Sequence, residues 1–341
     1  MPARVTSRRV RVAAVHVNQD AESRVGHAAP AYNSRRVKIG VNLVNFGPGA
    51  SPETLGHTAR LAEQLGYHLV MISDHVAITP DVAARFGAPF YDPFVTLGWL
   101  AGITRTIELG TTVIILPYRH PLQTARLVAN VDRLSGGRFI FGVGAGWATQ
   151  EFETLGVPFH RRGAITNDYL AAIKACWAGD VASYEGPFVA FKDVETAPRP
   201  VQTPHPPIWV GGSSEGALRR AARFGDGWHP IRVRADWLVK TGLPRLREVA
   251  DAEGTPVPAL CPRIRLKLTE APLPEDTRLA GQGSLGQMRS DLEALAALGA
   301  TYVLLDPYDD DPEATRDLEP VWRALETLAS RVLDLNRETL R

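Results

Sequence analysis

The chain has 341 residues, of which 45% are hydrophobic and 22% charged, and its formal net charge is +1. The apolar content is enough for a sizeable core, and the balanced charge argues against nucleic acid as a partner. No apolar run approaches the roughly 20 residues that span a bilayer. Cys176 and Cys261 lie far apart and indicate neither a disulfide framework nor a metal motif, so we expect a cytoplasmic protein without a membrane partner.

The first 36 residues differ in composition from the rest. They contain seven arginines against Asp20 and Glu22. They lack the continuous apolar segment of a secretory signal. We therefore predict an Arg-rich, poorly ordered extension over residues 1–36 and one domain over residues 37–341.

From residue 37 onward, apolar strands alternate with helices. The strand candidates are residues 37–44, 69–73, 107–115, 139–143, 208–211, 226–228, 262–268 and 301–305. The helix candidates are residues 52–65, 93–103, 122–134, 167–177, 215–224, 235–251, 285–298 and 314–333. Eight such units in about 300 residues predict a (β/α)8 TIM barrel of the α/β class. The alternative, an open doubly wound sheet, favours a glycine-rich turn after the first strand, and residues 45–52 lack the G-x-G-x-x-G pattern.

Two insertion loops exceed the usual length of a connection between a strand and a helix. They cover residues 76–92 and 178–206, and the second contains a predicted hairpin over residues 184–191. Long loops within a compact domain are usually lids or binding loops. We expect both to lie near the site.

Asp74 and His75 follow the second strand. Catalytic residues of barrels lie at this end of the strands. An aspartate can accept hydrogen bonds from a ligand, and a histidine can transfer a proton near neutral pH. The alternative interpretation is a loop-capping aspartate beside a surface histidine.

Glycines follow the fourth and fifth strands. Gly142, Gly144 and Gly146 alternate along the fourth, which would let a flat ring lie against the backbone, or would mark a tight barrel corner. Residues 210–214 open a helix, where free N–H groups could hold a phosphate, although Ser213 or Ser214 could simply cap the helix. The acidic run of residues 309–311 could bind a cation or form a solvated helix entry.

These segments together resemble the luciferase-like (bacterial luciferase) superfamily, and within it the oxidoreductases that use coenzyme F420. The resemblance is strongest over residues 37–232. It rests on the order and spacing of several strings, namely residues 65–75, 91–93, 109–113, 117–121, 134–138, 142–147, 151–156, 161–163, 198–202, 206–212 and 225–228.

The resemblance implies roles for individual residues. It implies a cis peptide bond between Thr112 and Val113 that supports the cofactor ring. Asp74 matches a residue that contacts the cofactor, and His75 matches a proposed acid or base. The remaining implied cofactor contacts are Gly144, Gly146 and Trp147 beside the ring, and Gly211, Gly212 and Ser213 at the phosphate.

One position departs from some relatives. The sugar-phosphate dehydrogenases of the superfamily carry an acidic residue where Trp147 stands, and basic residues for a substrate phosphate are not identifiable in the sequence. We therefore do not expect a sugar-phosphate substrate. Trp147 suggests an apolar or aromatic wall beside the ring.

The leading hypothesis is hydride transfer between C5 of the deazaflavin and a small organic substrate, with His75 moving the proton. The alternatives are a monooxygenase that uses FMNH2 and oxygen, and a non-catalytic flavin-binding protein. The anionic tail of F420 would favour basic groups at the cavity mouth, for which Arg161, Arg162, Arg232 and Arg234 are candidates. We expect a homodimer without a metal ion.

Overall fold

Eight parallel strands form the central sheet of the structure, a computed structural model that describes residues 36–341. We number them β1 to β8 in chain order, with β3 and β7 each in two segments: Lys38–Leu43, Leu69–Ile72, Glu108–Thr111 with Ile114–Ile115, Phe139–Gly144, Ile208–Gly211, Gly227–His229, Ala259–Leu260 with Arg263–Arg265, and Tyr302–Asp306. They pair in the order β6-β5-β4-β3-β2-β1-β8-β7. Apart from Arg36, the extension predicted over residues 1–36 lies outside the described residues.

The sheet closes on itself through β7. Ala259 of β7 pairs with Gly227 of β6, and Arg263 of β7 pairs with Leu304 of β8. A further parallel bridge joins Ile231, just after β6, to Arg263. Both edges of β7 therefore have a neighbour, and the predicted (β/α)8 barrel is confirmed.

Buried side chains lie in two layers. The larger layer lies between the outward faces of the strands and the helices. Strands such as Leu69–Ile72 are buried on both faces, which explains why they are apolar throughout. The smaller layer fills the barrel and consists of Leu69, Met71, Ile140, Trp209, Cys261 and Leu304. Because successive strand residues face opposite sides, Leu69 and Met71 point inward while Val70 packs outward.

The helices, numbered α1 to α10, are Pro52–Leu65, Pro80–Phe86, Pro93–Ile103, Pro121–Ser135, Thr149–Thr154, Arg162–Ala178, Glu215–Phe224, a segmented α8 (Ala235–Trp237, Leu238–Gly242 and Leu243–Glu253), Leu285–Ala297 and Glu319–Arg331. Helix α1 begins and ends as its sequence predicts. The Ser51 hydroxyl accepts the N–H of Thr54 at 3.2 Å, and Gly66 ends the helix with φ +90°. Helix α10 begins five residues after the predicted residue 314, because Pro320 fits only in the first turn.

Two short helices were not predicted. Helix α2 lies within the first insertion loop, and α5 follows β4. The second insertion loop forms the expected hairpin, with longer strands at Val181–Glu185 and Ala190–Glu195. The remaining short elements are 3-10 turns at Leu116–Tyr118, Phe159–Arg161 and Glu313–Arg316, and the strand pairs Lys267–Leu268 with Gln282–Gly283 and Leu333–Asp334 with Thr339–Leu340.

No helix within residues 36–341 combines the length and apolar character needed to cross a bilayer.

Candidate active site

A cavity of about 450 Å³ opens at the carboxyl ends of the barrel strands, and this size lies within the range of small-molecule sites. The structure brings most of the predicted site residues together on its wall: Asp74, His75, Thr112, Val113, Gly144, Gly146, Trp147, Gly211 and Gly212. Ser213 does not line the cavity, whereas its neighbour Ser214 does. No cluster of three or more metal-ligating side chains occurs within residues 36–341.

His75 is buried at the end of β2 and pairs with a carboxylate. Its Nδ1 lies 2.5 Å from Oε2 of Glu151. The other oxygen of Glu151 accepts the N–H groups of Val76 at 2.6 Å and Ala77 at 3.0 Å. These bonds hold Glu151 between the histidine and the loop that follows it.

The protonation of this pair follows from its geometry. Burial alone raises the pKa of Glu151, but the hydrogen bonds from His75, Ala77 and Val76 outweigh it and hold the pKa below its usual value. An ionised carboxylate only accepts hydrogen bonds, so His75 carries a proton on Nδ1. Nε2 is therefore the nitrogen available for proton exchange with a molecule in the cavity.

Sequence reasoning missed Glu151 as the partner of His75. It lies on α5, which was not predicted, and 76 positions separate the two residues. The string of residues 151–156 contributes to the family resemblance, but nothing local to it indicates a contact with His75.

Asp74 has both carboxylate oxygens occupied within the protein. Arg119 donates from Nη1 to Oδ2 at 2.7 Å and from Nη2 to Oδ1 at 2.8 Å. The N–H of Ile115 also donates to Oδ2, at 2.9 Å. Such a bidentate pair is strong and rigid. The geometry favours a role in shaping the site over the direct hydrogen bonds to a ligand that the sequence suggested for Asp74.

The peptide bond between Thr112 and Val113 is cis, as the resemblance implies. The Thr112 carbonyl and hydroxyl accept hydrogen bonds from Nη1 of Arg263 at 2.9 and 3.1 Å. The hydroxyl lies 2.9 Å from Nε2 of His229, whose Nδ1 lies 2.5 Å from the Cys261 carbonyl. We call Thr112 and Val113, which lie between the two segments of β3, the bulge of β3. This bulge is held by hydrogen bonds from β6 and β7.

His229 is neutral in this network. Burial lowers its pKa to about 4, although the Cys261 carbonyl opposes the shift. A carbonyl only accepts, so Nδ1 of His229 carries the hydrogen and Nε2 accepts one from the Thr112 hydroxyl. The neutral ring thus donates one hydrogen bond from Nδ1 and accepts one at Nε2.

The alternating glycines of β4 face the bulge of β3. A Cβ at Gly142 would lie 1.8 Å from the Thr111 carbonyl oxygen, and one at Gly144 would lie 2.6 Å from Cγ2 of Val113. These two glycines therefore have a packing role that does not depend on a bound ring. The glycines make room for β3, and Val113 is the side chain that they allow toward the cavity.

The amino end of α7 forms one end of the cavity. Ser214 caps the helix, its hydroxyl accepting the N–H of Ala217 at 3.3 Å, and Gly212 has φ +100°. The first N–H groups of a helix have no partner within the helix and attract anions. This geometry supports the predicted phosphate cradle, with Ser214 as the cap.

Two arginines add positive charge beside this helix end. Arg162 and Arg220 line the cavity, and neither has a carboxylate within 4 Å among the ion pairs of the described residues. Arg220 is buried, donating instead to the Asn167 side chain at 2.8 Å and the Gly163 carbonyl at 3.0 Å. Burial lowers its pKa to about 10, so it stays charged at neutral pH. Uncompensated buried charge favours an anionic ligand here.

Helix α2 brings an arginine and a phenylalanine to the other side of the cavity. The Arg85 guanidinium lies 5.1 Å from the ring centre of Trp147, and Phe86 lies 6.2 Å from the same ring. The Trp147 ring stands edge-on to His75 at 5.7 Å. The expected aromatic wall is therefore present beside His75.

Of the basic residues suggested for an anionic tail, Arg162 and Arg232 line the cavity, whereas Arg161 and Arg234 do not. Sequence reasoning missed Arg220, which lies in the middle of α7. In the sequence, Arg220 looks like an ordinary surface arginine of a helix, so nothing there marks it as part of a site.

Comparison with known proteins gives the family. Residues 26–272 match the family model described as luciferase-like monooxygenase. Uncharacterized protein Rv0953c of Mycobacterium tuberculosis is 34% identical over 244 residues, covering 64% of this chain and 84% of that protein. The FMNH(2)-dependent dimethylsulfone monooxygenase of Pseudomonas putida is 28% identical over 248 residues, covering 71% of this chain and 64% of that protein.

A solved structure supports the fold. The coenzyme F420 dependent tetrahydromethanopterin reductase from Methanopyrus kandleri superposes with a TM-score of 0.69. The two chains are 19% identical, and the match covers 86% of this chain and 98% of the reductase. At this identity the likeness concerns the barrel architecture.

Proposed function

Because this chain belongs to the luciferase-like monooxygenase family, and is thus an oxidoreductase, we propose that it binds coenzyme F420 and catalyses hydride transfer between the cofactor and a small organic substrate. F420 supplies the redox chemistry when bound, at C5 of its ring. The protein supplies the binding site, the orientation and the proton. The chain is similar both to an F420-dependent reductase and to an FMNH2-dependent monooxygenase, so the cofactor is the point to be tested.

The observation that carries the proposal is the pair of arginines without carboxylate partners. Arg162 and Arg220 line the same cavity as the amino end of α7, and they add two positive charges to a helix end that by itself already attracts a phosphate. FMN carries one phosphate, whereas F420 carries a phosphate and an anionic tail. Positive charge beyond that of the helix end therefore favours the cofactor with the additional anionic tail, which is F420.

The residues present fit such a cofactor. Val113 projects from the cis bulge between Gly144 and Gly211, at which a Cβ would lie 2.6 and 3.1 Å from the valine methyl groups. The bulge would hold the flat ring, and the amino end of α7 would hold the phosphate. We propose Thr112, Val113, Gly144, Gly146 and Trp147 as ring contacts, and Gly211, Gly212 and Ser214 as phosphate contacts, with Ser213 kept as a candidate.

His75 is the proposed catalytic residue. It would hold or move a proton at Nε2 while Glu151 fixes the ring and balances the charge that forms on it. Asp74 would be a positioning residue, because Arg119 occupies both of its oxygens. If His75→Ala kept full turnover with normal cofactor binding, this assignment would be wrong.

The test is a pair of titrations of the purified protein, one with F420 and one with FMN. We expect the F420 dissociation constant to be at least about tenfold lower than that of FMN, in line with the additional ion pairs. Tight FMN binding with negligible F420 binding would overturn the proposal. It would favour the second candidate, an FMNH2-dependent monooxygenase, which the 28% identity to the dimethylsulfone enzyme supports.

A further inference from the structure

Three arginines of the cavity wall converge on one carboxylate. Asp310 pairs with Arg232 and with Arg265, and its Oδ1 lies 3.8 Å from Nη2 of Arg85. All four side chains line the cavity. One carboxylate balances only one of the three positive charges, so this part of the wall keeps an excess of positive charge.

The neighbouring ion pair does not remove the excess. Arg263 and Asp306 bind each other at 2.9 Å, and Asp306 is 3.6 Å from Nη1 of Arg265. Each of these carboxylates therefore serves more than one guanidinium. Burial, and then the proximity of Arg232, lower the pKa of Arg85, as expected where like charges crowd together.

Arg265 has an unsatisfied donor. Its side chain is 6% exposed, and its Nε has no hydrogen-bond partner among the described residues. Its two Nη atoms donate to the Tyr308 carbonyl and to Asp310. A buried N–H without an acceptor is costly and uncommon in native proteins. The cluster therefore contains one buried N–H donor, Nε of Arg265, for which the described residues provide no acceptor.

This cluster lies on the side of the cavity that holds His75. Arg85 stacks over Trp147 at 5.1 Å, and Trp147 contacts the His75 ring. Phe86 and Tyr308, 5.7 Å apart, add apolar surface between the arginines. A molecule bound here would present its polar end to the arginines and its apolar body to these rings.

We propose that the substrate is an organic carboxylate with an apolar body, whose carboxylate binds Arg85, Arg232 and Arg265 and displaces Asp310. Arginine recognises carboxylates through paired, charge-assisted hydrogen bonds. Asp310 acts as an internal counter-ion that keeps the cluster together before the substrate binds. This inference rests on the proposed function, since it names the substrate class of the same cavity.

The experiment compares benzoate with benzamide, which share a ring and differ in charge. Each is titrated calorimetrically into the full chain, both alone and saturated with whichever of F420 and FMN binds. We expect benzoate to bind at least about tenfold more tightly than benzamide in the wild type. Arg265→Gln and the more exposed Arg232→Gln should remove this preference, and Asp310→Asn should strengthen it by about tenfold. Arg234→Gln, at a half-buried position outside the cavity wall, should leave it unchanged.

The outcomes separate this inference from the cofactor assignment. Equal binding of benzoate and benzamide, or a preference that survives both Arg232→Gln and Arg265→Gln, would overturn it. A preference lost in Arg220→Gln but kept in Arg265→Gln would place the anion in the phosphate cradle and would also overturn it. Failure of the cofactor to bind, with the benzoate preference intact, would count against the proposed function alone.

Discussion

His75 and Glu151 are 76 positions apart in the chain, yet Nδ1 of the histidine lies 2.5 Å from Oε2 of the glutamate. The glutamate also accepts two backbone N–H groups of the loop after His75. One buried carboxylate thus fixes both the histidine ring and the loop. Because of this pairing, the His75 ring has a fixed orientation beside the cavity and can carry a proton at Nε2.

The tautomer of His75 should depend on this carboxylate. Glu151→Gln is expected to convert His75 from a single Nδ1–H form to a mixture, because a neutral amide no longer selects that tautomer. It should also lower the free energy of unfolding by about 1–3 kcal/mol. Long-range nitrogen–proton correlation spectra and urea unfolding measure the two effects. Glu153→Gln, at an exposed position of the same helix, is the matched control, and an unchanged spectrum in Glu151→Gln would refute the pairing.

Arg220 should act on the phosphate of a flavin and not on its ring. Arg220→Gln is expected to weaken FMN binding by about tenfold while leaving riboflavin binding unchanged, because only FMN carries the anion. Fluorescence titration with both ligands measures the difference. Arg219→Gln, at an exposed position of the same helix, should have no effect. Since Arg220 is buried, Arg162→Gln provides a second test, and equal losses for both ligands would contradict the cradle.

Gly144 should be required because Val113 occupies the space beside it. Gly144→Ala places a methyl group 2.6 Å from Cγ2 of Val113, and we expect it to cost about 1–3 kcal/mol of unfolding free energy. In a Val113→Ala background most of that cost should disappear, giving a measurable coupling energy. Gly142→Ala should show no such rescue by Val113→Ala, because its Cβ would meet the Thr111 carbonyl at 1.8 Å. Urea unfolding of the single and double variants measures this coupling energy. Additive effects of Gly144→Ala and Val113→Ala on the free energy of unfolding would contradict the contact between the two residues.

His229 should make the fold less stable in acid. Its pKa falls from the ordinary 6.5 to about 4 on folding, so below pH 6.5 the unfolded chain takes up a proton that the folded chain refuses. The stability that the neutral ring contributes is therefore complete above pH 6.5 and decreases as the pH falls toward 4, by about 3 kcal/mol in all. In His229→Asn, the free energy of unfolding should lack this part of its dependence on pH.

Urea unfolding at several pH values between 4 and 7 measures the effect. His160→Asn, at an exposed position, should keep the slope of the wild type. Parallel slopes for His229→Asn and the wild type would show that burial of His229 does not control the acid response.

The sequence by itself determined the barrel and, with the family resemblance that it carries, several of the residues on its cavity wall. Alternation of apolar strands and amphipathic helices is a local signal, and so are caps such as Ser51 and Gly66. Active residues at the carboxyl ends of barrel strands follow from the fold alone. That is why His75 could be named from its place after β2, whereas Val113 was named from the family resemblance and Gly211 from both the helix start and the resemblance.

Local sequence signals failed where two adjacent residues suit the same role and where a helix is short. Ser213 and Ser214 are both good caps, and only the geometry of α7 selects Ser214. Helices α2 and α5 are too short to show a clear period, so both were missed.

Only the tertiary structure decided which side chains meet. The ion pair of Asp74 with Arg119, the pairing of His75 with Glu151 and the convergence of arginines on Asp310 all join different strand ends. Closing the barrel brings these ends to one rim, and the register of each strand sets which residues face one another. Such contacts depend on distances in space between residues far apart in the chain. Hydrophobic periodicity, which reports only a residue's own neighbours, therefore carries no information about them.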